Sequence, residues 1–130
     1  MSENGYRRMF LIGALWNLVG GGIIIAVTPW IFSSAGIPQP SPPLYYDAWL
    51  ALVLTFGLGY YLVYRDMYGN RGIVILGAVG KSAFAAVFLY SFVAHPGQAP
   101  LLFLIPVIGD LVFVVLFLMF LGFARGRGPS

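Results

Sequence analysis

Four apolar runs, each close to the length of a bilayer crossing, dominate the chain: residues 9–32, 44–64, 72–93 and 101–123. At about 1.5 Å of rise per residue, a helix of roughly 20 residues crosses a hydrocarbon core. None of the four runs leaves the continuous polar face that a helix needs to meet water. The chain is 60% hydrophobic and only 8% charged over 130 residues, whereas soluble domains carry about a quarter charged residues. Together these features predict an all-α fold, a single-domain four-transmembrane-helix bundle over residues 1–130, with the lipid bilayer as its first partner.

The intervening stretches read as loops. Residues 33–43, SSAGIPQPSPP, repeat prolines that remove backbone donors and favour extended chain. Residues 65–71, RDMYGNR, carry a Gly-Asn turn between charges, and residues 94–100, AHPGQAP, turn at Pro-Gly. Six of the seven basic residues fall at one end of such a bundle: Arg7, Arg8, Arg65, Arg71, Arg125 and Arg127. Cytoplasmic loops collect Lys and Arg, so both termini and the 65–71 loop are expected in the cytoplasm of a bacterial inner membrane. Trp30, Tyr45, Tyr46 and Trp49 then form an outer aromatic belt, and Tyr60, Tyr61, Tyr64 and Tyr68 an inner one. A twin-arginine export signal at YRRMFL, residues 6–11, is the competing reading, but the apolar run that follows is about twice the usual signal length. The basic tail, 124–130, is expected to be disordered.

Several chemistries are excluded or disfavoured. The absence of cysteine removes disulfides, thiol nucleophiles and thiolate metal sites. A lone histidine, His95, in an outer loop makes a poor metal site and no Ser-His-Asp arrangement. No metal, cofactor or catalytic residue is therefore expected, and no basic surface domain offers itself to nucleic acid. Gly80-Lys81-Ser82 matches the end of a phosphate-binding loop, but Ile75 stands where that loop requires glycine.

Lys81 is instead the chain's most informative residue, a charge in the middle of the third apolar run. The other polar residues at membrane depth are Asn17, Thr55, Ser82 and Asp110. Counted from the cytoplasmic end, Asn17 lies about 12 Å deep, Lys81 about 13 Å, Thr55 about 14 Å and Asp110 about 20 Å. An unpaired charge there costs from about 3 to well over 10 kcal/mol, so Lys81 and Asp110 are expected to pair, assisted by Asn17. Lys81, Asp110, Asn17 and Thr55 are the candidate polar core, a possible ligand or proton site. Two blander readings stand beside it: a pair that only sets helix register, and a lysine snorkelling alone to the headgroups.

Small residues suggest where helices meet. Gly13, Gly20, Gly21, Gly22, Gly57, Gly59, Gly77 and Gly80 allow close backbone approach, and Ala78, Ser82 and Ala86 form a stripe at spacing of four. Pro106, one turn before Asp110, is expected to kink the fourth helix. Phe84, Phe88 and Phe92, with Phe113, Phe117 and Leu121, repeat every four residues as packing or lipid-facing rows.

The order of these features resembles the small four-helix membrane proteins of the DoxX-like group. The residues that carry the likeness are Arg8, Pro29, Gly57-Leu58-Gly59-Tyr60, Arg65, Gly80-Lys81 and Gly109-Asp110, spread over nearly the whole chain. The resemblance implies an integral four-helix bundle, with members linked variously to respiratory subunits and redox partners. The cysteines of the thiol-linked members are absent here. The expected function is a non-enzymatic accessory subunit or small-ligand-binding bundle, within a larger membrane complex or homo-oligomer. The alternative is a small proton-coupled transporter or channel using Lys81 and Asp110.

Overall fold

The computed structural model describes residues 1–128; Pro129 and Ser130, the end of the basic tail, lie outside the described residues. The chain forms α1 (Glu3–Ala35), α2 (Leu44–Arg65), α3 (Arg71–Ala94) and α4 (Leu104–Phe123), with a 3-10 turn at Leu101–Phe103 leading into the last. All four are long and apolar enough to cross a membrane, as in a multi-pass membrane protein. Their outward faces carry large apolar side chains such as Ile12, Val19, Leu58, Leu76, Val112 and Leu118. The start of α1, the α2–α3 turn and the end of α4 share one end, where Arg7 donates to the Tyr64 carbonyl at 2.9 Å, the Tyr68 hydroxyl donates to Glu3 at 3.1 Å, and Tyr6 packs on Phe123.

The first helix extends beyond the apolar run at both ends. Ser2 caps its start by accepting the Gly5 N–H. Pro29 does not stop it, and the chain stays helical to Ala35. The end comes at Gly36, whose φ of 67° suits a residue without Cβ, and whose N–H, with that of Ile37, turns back onto Phe32 and Ser33 carbonyls. In the α2–α3 turn, Asp66 accepts the Gly69 N–H while Asn70 donates to the Leu62 and Asp66 carbonyls, closing the end of α2.

The bundle is two hairpins. Helix α1 packs along α2 and α3 along α4, while the hairpins meet each other less extensively. Aromatic side chains join them in two layers. At the arginine-bearing end Phe10 packs on Phe117 and Phe120, and Tyr60 on Phe117, within a core that also buries Tyr6, Val63, Met67 and Val74. At the other end Trp49 stacks on Phe84 at 5.5 Å and meets Phe88 and Phe103. These contacts give the rows Phe84–Phe88–Phe92 and Phe113–Phe117 a packing role.

Three expectations are corrected. The packing face of α3 is Gly77, Ala78, Lys81 and Ala85, whereas Ser82 and Ala86 are exposed, because Lys81 rather than the small stripe turns inward. Pro106 does not kink the middle of a helix: it lies in the first turn of α4, where its missing N–H has no intrahelical partner to lose. Tyr60 belongs to the core rather than an interfacial belt, and Trp49 is half-buried under the α3 phenylalanines.

Glycine is required where aromatic side chains press against a helix backbone. A Cβ on Gly77 would lie 2.7 Å from the Tyr60 ring and hydroxyl and 3.0 Å from Phe117. Gly77→Ala is therefore expected to cost about 1–3 kcal/mol through overpacking, against the up to about 1 kcal/mol that alanine gains in a helix interior. Gly22→Ala, where a Cβ meets open space, is the control that keeps only the gain. Thermal unfolding of both variants in detergent measures the difference.

Candidate functional site

Between the aromatic layers the hairpins do not close. They leave a cavity of about 610 Å³ whose walls include Gly20, Ile24 and Val27 of α1, Phe56 of α2, and Phe84 of α3. Along α1 it runs from Trp16 to Ile31, about 22 Å at the helical rise. Ile23, Leu52 and Ile105 on its margin are exposed, so it opens sideways between helices, toward the surface that faces lipid in a membrane.

Its charged and amide side chains come from three helices. Lys81 Nζ of α3 donates to Asp110 Oδ1 of α4 at 2.5 Å and to Asn17 Oδ1 of α1 at 3.1 Å. Asn17 Nδ2 donates in turn to the Val53 carbonyl of α2 at 2.9 Å, so the cluster ties all four helices. The rest of the ammonium faces rings, with Tyr60 and Phe113 centroids 5.4 Å and 5.3 Å away. The side chains of Lys81 and Asp110 retain 6% and 14% of their accessible surface, which makes the pair buried but not sealed on the carboxylate side.

Trp16, which lies outside the polar core expected from sequence, completes the cluster. Its indole Nε1 donates to Asp110 Oδ1 at 3.2 Å, so one carboxylate oxygen takes both the ammonium and the indole. The ring lies directly against Gly109, where any Cβ would collide with it. A tryptophan well inside a span, away from the interfacial depth this residue prefers, was the available signal.

Of the sequence-derived candidates, Lys81, Asp110 and Asn17 are thus brought together. Thr55 is not. The inward residues of α2 are Val53, Phe56, Gly57 and Tyr60, and Thr55 points to the opposite, exposed side, where its hydroxyl bonds to the Ala51 carbonyl one turn back. Lys81 does not snorkel toward the headgroups, since its ammonium is spent on Asp110 and Asn17. Among the described residues no three metal-ligating side chains gather, and His95 is exposed beyond the end of α3, against Tyr90.

The cluster can hold a polar group at the floor of an apolar slot. Comparison of the chain with family models, with characterised proteins and with solved structures finds no match. The functional reading therefore comes from this geometry.

Proposed function

We propose that the protein is a multi-pass component of the bacterial inner membrane that binds a lipophilic small molecule between its two hairpins. Both termini and the α2–α3 turn face the cytoplasm in this reading, as the shared placement of the six arginines supports. The observation that carries the proposal is the cavity itself. A space of about 610 Å³ is of the size that holds a small ligand, and mostly apolar walls with a few convergent polar groups are the usual make-up of such sites.

The lateral opening supports entry from lipid rather than from water. Beneath the polar cluster the bundle is packed solid by Phe10, Val63, Val74, Phe117 and Phe120, which favours binding over proton or solute passage to the arginine-bearing end. The same proposal includes affinity to the DoxX-like group and permits an accessory role in a larger complex, to which a bound lipophile would be presented.

Gly20→Phe tests the reading. Gly20 lines the cavity and a Cβ there meets nothing within 4 Å, so a side chain at this position leaves the helix into open space. All three tryptophans of the chain, Trp16, Trp30 and Trp49, line the cavity. A long-chain lipophile brominated at its tail should therefore quench the emission of the native protein saturably in nanodiscs. Gly20→Phe is expected to weaken that binding at least tenfold with the unfolding temperature unchanged. Equal quenching in both proteins would reduce the cavity to a lipid-filled packing gap.

A further inference from the structure

We infer that the floor of the cavity selects a ligand with a neutral hydroxyl head, a long-chain alcohol or phenol, over one ending in an ether, a carboxylate or an amine. This rests on the reading of the cavity as a binding site and adds the chemistry of its deep end.

Lys81 Nζ, Trp16 Nε1 and Asn17 Nδ2 already donate to partners within the protein, and Asn17 Oδ1 and Asp110 Oδ1 already accept. Beyond the third ammonium N–H, which faces the rings, and the second amide N–H of Asn17, two floor atoms have no partner at all. Among the described residues neither Asp110 Oδ2 nor the Tyr60 hydroxyl has a hydrogen-bond partner. Both residues line the cavity, Asp110 with 14% of its side chain still accessible and Tyr60 almost wholly buried, its hydroxyl against Gly77. The floor thus presents one free acceptor and one free hydroxyl donor. A ligand hydroxyl supplies the reciprocal set, donating to Asp110 Oδ2 and accepting from Tyr60.

Other heads fit less well. An ether accepts but cannot donate, so it leaves the carboxylate oxygen unmet in an apolar surround. A carboxylate would face the Asp110 carboxylate, while the nearby ammonium already has its charge matched by Asp110 and a further bond to Asn17. An alkylammonium can bond to Oδ2 but places a second positive charge beside Lys81, where a low dielectric makes like charges costly. The alcohol alone satisfies both groups without adding charge.

Four compounds decide it: dodecyl chains brominated at the tail and headed by a hydroxyl, a methyl ether, an amine or a carboxylate. Each is titrated against native protein in nanodiscs, with Gly20→Phe as the background. The alcohol is expected to bind about tenfold more tightly than the ether and more tightly than either charged compound. Tyr60→Phe keeps the ring and is expected to lower alcohol affinity about fivefold. The Lys81→Met/Asp110→Leu double variant removes the pair together and should bind alcohol and ether alike. If the ether matches the alcohol, or the carboxylate or amine binds best, the hydroxyl assignment is wrong while the cavity remains a binding site. If no compound exceeds the Gly20→Phe background, the binding-site reading itself fails.

Discussion

Asp110→Leu is expected to destabilise the bundle by about 3–5 kcal/mol, the loss that follows when one member of a buried ion pair is removed. Lys81 would retain only the Asn17 carbonyl oxygen at 3.1 Å and two ring faces. Lys81→Met should also be costly but milder, because Asp110 keeps the Trp16 indole N–H and an accessible oxygen that a water or ligand hydroxyl can reach. Combining the two replaces the pair by apolar side chains of similar bulk, an exchange that is often neutral or stabilising. The double variant is therefore expected to recover most of the loss. Unfolding of all four proteins in one detergent gives the coupling energy directly. Simple additivity would show that the short Lys81–Asp110 contact contributes nothing of its own, and that the cluster is held by Asn17 and Trp16 instead.

The pairing was legible in the sequence for an energetic reason. Lys81 and Asp110 are the only ionisable residues within the apolar runs away from their ends, and an intramembrane charge without a partner is too costly to leave. Counting the helical rise put Asn17 at a similar depth, and the structure has it bonded to Lys81. The same counting misplaced Thr55, since depth along a helix carries no information about which way a side chain faces. Its exposure follows from the rotation of α2 that turns Gly57 and Tyr60 inward. Ser82 and Ala86 went astray for the same reason on α3.

Trp16 and the cavity were less accessible still. The indole reaches Asp110 only because α1 and α4, separated by most of the chain, lie in a particular register, and no local pattern encodes that register. The cavity is a property of what the hairpins fail to fill between two aromatic layers. Apolar walls read in sequence like any other apolar run, so a binding site with such walls is nearly invisible until the helices are assembled.

Gly109→Ala carries the second large expectation, because it tests that register with one methyl group. A Cβ at Gly109 would fall 2.7 Å from Trp16 Cη2 and 3.0 Å from Cε2, against a rigid ring rather than the end of a flexible chain. The ring has little room to withdraw, being packed against Phe113 at 6.1 Å and tethered to Asp110 through its N–H. The substitution should therefore cost about 2–3 kcal/mol from overpacking, even after the helix-propensity gain of up to about 1 kcal/mol that alanine brings. Trp16→Leu alone removes a hydrogen bond to a charged group, worth about 1.5–3 kcal/mol, and part of the ring's packing. In the Gly109→Ala/Trp16→Leu protein the clash is gone, so the combined loss should fall well below the sum of the singles. Thermal unfolding in detergent measures the four corners of this cycle. A neutral Gly109→Ala, or losses that simply add, would mean that Trp16 does not lie across Gly109, and the indole would then have to be removed from the floor of the cavity.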